Sequence, residues 1–199
     1  MPFITFEGID GAGLTTQAFE LKKHLEAKGY EVYLTKEPTD GIIGSLIRSA
    51  LRKELKMGVQ TLALLFAADR MLHLEDIKKL LNSGVIVICD RYRLSSYAYQ
   101  SIELDLEWVK RINEKSISPD VIFIIDVPAF VCVRRLQKQR FHMELYENEK
   151  TLEDVREKFL ELAKEEKNVF IIDGNRPKEV VGEEIFFNLK KIGILEGLE

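Results

Sequence analysis

Nine residues near the start of the chain, Gly8-Ile9-Asp10-Gly11-Ala12-Gly13-Leu14-Thr15-Thr16, have the composition of an anion cradle. Glycines let a backbone curl until several N–H groups converge on one point. A helix opening near Thr15 adds the positive end of its dipole, and the Thr15 hydroxyl is a hard oxygen ligand for magnesium. Gly8, Gly13 and Thr15 fit the phosphate-loop spacing G-x-x-x-x-G-K-[ST], but Leu14 stands at the lysine position. That lysine ordinarily lays positive charge on the β- and γ-phosphates, where charge shifts during phosphoryl transfer. Leucine has no donor, so its presence predicts a loss of roughly 10²–10³ in rate, while backbone amides keep the nucleotide bound. The dinucleotide pattern G-x-G-x-x-G fits Gly11 and Gly13 but meets Thr16 at its third glycine, and is set aside.

Three further groups could share a crevice with this loop. Lys36-Glu37-Pro38, with Arg48 downstream, could hold a second phosphate, or be a solvated surface turn. Phe66 and Arg70 are four apart on one helical face. An aromatic plate beside a guanidinium suits a flat, carbonyl-bearing base; the alternative is a core Phe and a surface Arg. Asp90-Arg91 offers a carboxylate to order magnesium-bound water and a guanidinium to bridge phosphates, or else a buried ion pair. The stretch Ser95 to Gln100 opens a helix and brings hydroxyls and an amide, with Gln100 able to read a base edge. His24, His73 and His142 show no mutual ligand spacing. Trp108 and the Phe186-Phe187 pair read as packing, and Cys89 and Cys132 as small buried hydrophobes.

These groups need a scaffold, and 199 residues with 46% apolar and 31% charged side chains supply one domain's core and a solvated surface. Apolar runs at 3–6, 31–35, 85–89, 121–125 and 169–172 read as strands, the last three continuously apolar and so covered on both faces. Helical periodicity occupies about 15–28, 41–55, 59–82, 105–116, 128–140, 150–166 and 177–191. Gly29 and Gly84 sit at helix C-caps, and Thr151 with Asp154 resembles a capping box. The alternation predicts an α/β fold, a three-layer doubly wound sheet of five parallel strands with helices on both faces. The groups above then follow strands one, two and three, at the carboxyl ends where such sheets bind ligands. The polar segment 137–150 reads as a mobile flap or an ordinary helix junction. A net charge of −4 argues against a nucleic-acid partner. No signal peptide or membrane-spanning run is legible, and two cysteines suit a reducing compartment, so a cytoplasmic location is expected.

The sequence resembles the thymidylate kinases. Four blocks carry the match, FEGIDGAGLTTQ at 6–17, TKEPTDGIIGSLIR at 35–48, LLFAADRMLHLE at 64–75 and DRYRLSSYAYQ at 90–100, in the family's order and spacing. The similarity runs on through IDVPAFVCVRRL to VFIIDGNRPKEV. The resemblance implies a nucleoside monophosphate kinase of the phosphate-loop type, with ATP as donor, dTMP as acceptor, Mg2+ as cofactor and a homodimer as assembly. It implies that Gly8 to Thr16 cradle ATP and that Asp10 meets the acceptor's 3′-hydroxyl. Phe66 would stack on thymine and Arg70 bond its carbonyl. Arg48 and Arg91 would grip the acceptor phosphate, Ser96 and Gln100 would complete the base pocket, and Lys36, Glu37, Pro38 and Tyr97 would also bind the substrate. Asp90 and Thr15 would place the metal. Where Gly11 stands, some members carry an arginine, and others supply one from the lid, for which Arg134, Arg135 and Arg140 are candidates. Three departures stand out: Leu14 for lysine, Lys36 for arginine, and an arginine-poor flap. They keep open a weakened nucleotide-binding relative with a regulatory role, or a kinase for another acceptor.

Overall fold

The computed structural model describes residues 1–139 and 144–193. Five strands form one parallel sheet: β1 (Phe3–Glu7), β2 (Val32–Lys36), β3 (Ile86–Asp90), β4 (Val121–Asp126) and β5 (Val169–Asp173). Their order is β2-β3-β1-β4-β5. The connection leaving β1 runs to one side of the sheet and that leaving β4 to the other, which opens a crevice at their carboxyl ends. Eight helices among the described residues flank it. They are α1 (Leu14–Glu26), α2 (Ile42–Leu51), α3 (Val59–Asn82), α4 (Arg93–Gln100), α5 (Leu106–Ile112), α6 (Ala129–Gln139), α7 (Glu149–Leu162) and α8 (Lys178–Lys191).

The three inner strands are apolar on both faces because both faces are covered. On β3, Ile86 and Ile88 join the main core with Leu21 and Leu25 of α1, while Val87 and Cys89 join Leu74 and Ile77 of α3. The apolar run of β5 misleads on this point: β5 is an edge strand, and Ile171 is 49% exposed. Gly84 ends α3 as expected. Its N–H reaches the Leu81 carbonyl and the Val85 N–H the Leu80 carbonyl, with φ at +87°. The capping-box reading is corrected. Asn148 is the cap of α7 and accepts from the Thr151 N–H at 2.9 Å, three residues earlier than the sequence signal suggested. Helix α2 stops at Leu51, short of 55, and α6 carries Gln137 to Gln139 into what read as flap. Phe187 does not pack but is 64% exposed, and both cysteines are buried and unpaired. No described helix is long and apolar enough to cross a membrane.

Candidate active site

The turn from β1 into α1 is built on backbone conformations that side chains resist. Gly8 has φ +145° and Gly11 φ +84°. A Cβ on Gly8 would lie 2.7 Å from the Ile125 carbonyl oxygen, and one on Gly11 2.8 Å from that of Cys132. Both sites therefore need glycine for conformation and for space. Arg135 of α6 donates to the carbonyls of Gly11 and Ala12 at 3.3 and 3.4 Å and to Gly174 at 3.3 Å. In a trans peptide, C=O and N–H point opposite ways. The Ala12 carbonyl's turn toward Arg135 thus aims the Gly13 N–H away from α6. Leu14, the first residue of α1, is buried in the main core, with a δ-carbon 3.3 Å from where a Gly8 Cβ would sit.

Two turns end on this loop. The Thr15 hydroxyl donates to Asp90 Oδ2 at 2.5 Å, so the end of β3 and the first turn of α1 present paired hard oxygens. Burial raises the Asp90 carboxyl, opposed by the Arg91 charge and the Thr15 bond. Arg91 sits at φ +68°, a costly conformation for a side-chain-bearing residue. It is held there on every side. Its N–H reaches the Phe6 carbonyl at 2.9 Å, and its guanidinium the Gly8 carbonyl (2.7 Å), Ser95 Oγ (3.2 Å) and Asp10 Oδ1 (2.8 Å). The Tyr99 hydroxyl donates to Asp10 Oδ2 and accepts from the Asp10 N–H, both at 2.9 Å. Beneath them Glu7 accepts from Ser95 Oγ–H at 2.5 Å and the Tyr92 N–H at 3.1 Å, and burial pushes its carboxyl up to about 7.

The loop opens into a cavity of about 400 Å³ whose far wall comes from α2, α3 and α4. Arg70, 1% exposed, is neither on the surface nor idle. It donates to Glu37 Oε2 at 2.8 Å, to Ser96 Oγ at 2.9 Å and to Asn113 Oδ1. His73 Nδ1 meets the other Glu37 oxygen at 3.0 Å, and its Nε2 meets Thr35 Oγ1 at 2.8 Å. The Glu37-Pro38 peptide is cis. Arg48 donates to the Pro38 and Thr39 carbonyls at 3.1 and 2.5 Å. Lys36, by contrast, is exposed and pairs with Asp40 at 3.4 Å.

The structure brings Asp10, Thr15, Lys36, Glu37, Pro38, Arg48, Phe66, Arg70, Asp90, Arg91, Ser96 and Gln100 to one cavity. It does not bring Tyr97. On α4 the cavity-facing residues are Ser95, Ser96, Tyr99 and Gln100, and Tyr97 turns into the core with Ala98. Gln100 Oε1 is buried with no partner among the described residues, an acceptor waiting for a donor such as a base N–H. Of the lid arginines, Arg135 reaches the loop through its carbonyls, and Arg134 lies over Phe130 at 5.7 Å. Arg140 lies outside the described residues, as does His142. Sequence reasoning missed Tyr99, Glu7 and Asn113. The i, i+4 step from Ser95 to Tyr99 was the available signal for the first.

The family model described as thymidylate kinase matches residues 6–185, a span that includes every element lining this cavity. The chain belongs to the thymidylate kinase family. A protein of Treponema pallidum described as a thymidylate kinase is 38% identical over 198 residues, covering 95% of each chain. One of Thermococcus kodakarensis is 40% identical and covers 92% of this chain and 94% of its own. One of Methanocaldococcus jannaschii is 40% identical over 96% of each. As in other thymidylate kinases, ATP is the phosphoryl donor, and the glycine-shaped turn is the part of this chain suited to receive it.

Proposed function

We propose that this chain transfers the γ-phosphoryl group of ATP to dTMP, giving ADP and dTDP. The observation that carries the reading is the shared cavity. The phosphate loop and the Thr15–Asp90 pair open into the same space as Phe66, Arg70 and the orphaned acceptor of Gln100. An oxygen of the dTMP phosphate bonds to the γ-phosphorus as the bond to the β,γ-bridging oxygen breaks, and ADP leaves with that electron pair. No covalent enzyme intermediate is needed, so positioning and charge neutralisation do the work.

Each residue then has a part. Loop N–H groups and the α1 terminus hold the donor phosphates. Arg91, locked beside Asp10 and the Gly8 carbonyl, faces the acceptor phosphate with Arg48 nearby. Phe66 stacks on the thymine, and Arg70, braced by Glu37, bonds its carbonyl. Asp10, steadied by Tyr99, meets the sugar hydroxyl. Thr15 and Asp90 fit a magnesium ion, which takes oxygen ligands and would neutralise phosphate charge when bound. The segment 137–150 acts as lid; Leu145 and Tyr146 line the cavity, the Leu145 N–H on the Leu51 carbonyl and the Tyr146 ring 5.5 Å from Tyr99. A homodimer and a cytoplasmic setting complete the proposal.

Calorimetry with ATP and with dTMP, paired with an ADP-release assay over a panel of monophosphates, tests this. Both ligands should bind, and dTMP should drive ADP release fastest. Binding without release would favour the regulatory relative. Faster release with another monophosphate would move the acceptor.

A further inference from the structure

The buried Leu14 leaves the phosphate loop without a cation of its own, yet the transferring group carries spread negative charge that needs one. Among the described residues four basic side chains line the cavity, Lys36, Arg48, Arg70 and Arg91. Three are committed. Arg48 holds the Pro38 and Thr39 carbonyls and Ser45 Oγ, Arg70 is fixed by Glu37, Ser96 and Asn113, and Arg91 by Gly8, Ser95 and Asp10. Arg135, behind the loop, is occupied by three carbonyls. Moving any of these would strand a buried or half-buried carbonyl or carboxylate.

Lys36 differs. Its side chain is 56% exposed, and it pairs at 3.4 Å with Asp40, itself 81% exposed. Such solvated pairs contribute little and are readily exchanged. Lys36 is the last residue of β2, with its Cα in register with Asp90, whose carboxylate holds Thr15 beside Leu14. Neighbouring strands run ~5 Å apart, so its flexible four-carbon stem starts one strand from Asp90 and two strands from β1, which leads into the phosphate loop. The side chain also lines the adjoining cavity of about 480 Å³ with Thr15 and Asp90, so it has space to swing.

We propose that Lys36 leaves Asp40 when both nucleotides are bound and supplies to the transferring phosphoryl group the positive charge that residue 14 does not. This rests on the kinase reading above. A compact ammonium on a mobile stem suits the task better here than a planar guanidinium would. The departures at positions 14 and 36 then become one arrangement, a cation delivered across β3 from the end of β2.

The test compares steady-state turnover of ATP and dTMP by the intact chain, K36M, K36R, L14K and L14K/K36M. K36M should lose ~10²-fold in kcat, with the KM for dTMP changed less than ~3-fold. K36R, which keeps the charge on a planar head, should lose kcat too, but less than K36M. L14K/K36M should recover most of the loss, because a loop lysine makes residue 36 redundant, and L14K alone should gain less than tenfold. A K36M effect confined to the KM for dTMP would overturn the proposal and leave Lys36 an acceptor contact. So would an equal K36M loss in the L14K background, provided L14K itself turns over and melts like the intact chain. If L14K does not fold, the kcat-against-KM split of K36M and K36R decides alone. An intact chain that releases no ADP with any monophosphate defeats the kinase reading itself, an outcome distinct from all of these.

Discussion

The two sides of the cavity achieve order by different means. On the side proposed for the donor, the working groups would be backbone amides, and conformation is set by what is missing: no Cβ at Gly8 or Gly11. On the acceptor side, the working groups are side chains, and each is fixed by another. Glu37 holds Arg70 and His73, Asp69 takes the Thr39 N–H and hydroxyl at 2.7 and 2.6 Å, and Asp10 holds Arg91. A backbone cradle accepts any polyphosphate of the right shape. A wall of interlocked charges fixes the angle of each donor and can discriminate between bases. The donor side should therefore fail through added atoms and the acceptor side through deleted ones.

The largest effect follows from deleting Glu37. Glu37→Ala leaves the Arg70 guanidinium, 1% exposed, without its carboxylate and His73 without its acceptor. Removing one partner of a buried pair costs about 3–5 kcal/mol, so calorimetric or chemical unfolding should show a loss of that order. Nucleotide titrations should show dTMP weakened far more than ATP. A stability unchanged within 1 kcal/mol would mean the wall is not interlocked.

Glu7 gives the next largest effect, and it depends on pH. Burial raises its carboxyl from 4.5 to about 7, so the fold prefers it protonated. The folded state then binds more protons than the unfolded one between these values. The Glu7 contribution is fully present below about 4.5 and falls as pH rises through 7, by up to about 3 kcal/mol. Glu7→Gln should flatten that decline, read as the difference between the two proteins' unfolding free energies from pH 4.5 to 8. Parallel curves would mean that Glu7 is ionised throughout, held so by Arg91.

The sequence carried the backbone side well and the side-chain side in part. Glycine spacing, a strand before and a helix after are local signals, and the left-handed φ values are what those glycines were for. Strand order was not legible, because the crossover of β3 past β1 to β4 is a choice among distant pairings. Burial was only half legible: the same apolar run marks the central β4 and the exposed edge β5. Arg70 shows the limit most clearly. Its i, i+4 relation to Phe66 was plain, but its partners Glu37, Ser96 and Asn113 lie 33, 26 and 43 residues away. Tyr97 and Tyr99 look alike in sequence and both pack into the main core, and only the rotation of α4 brings the Tyr99 hydroxyl to Asp10.

The smallest of the three effects should come from one methyl group on the donor side. Gly11 has φ +84°, and an added Cβ would meet the Cys132 carbonyl at 2.8 Å, a backbone atom of α6 that cannot rotate away. Gly11→Ala must therefore strain the loop or displace it from α6, where Arg135 anchors the Gly11 and Ala12 carbonyls. Strain of about 1–3 kcal/mol corresponds to ATP binding weakened ~10–10²-fold. The dTMP affinity should fall less, since Phe66, Arg70 and Gln100 do not rest on that turn and only Asp10 with its Arg91 links it to the acceptor. Isothermal titration with each nucleotide separates the two. Equal losses for ATP and dTMP would show that the cradle and the wall move as one body. An unchanged ATP affinity would show that the donor phosphates do not depend on this curl of the backbone at all.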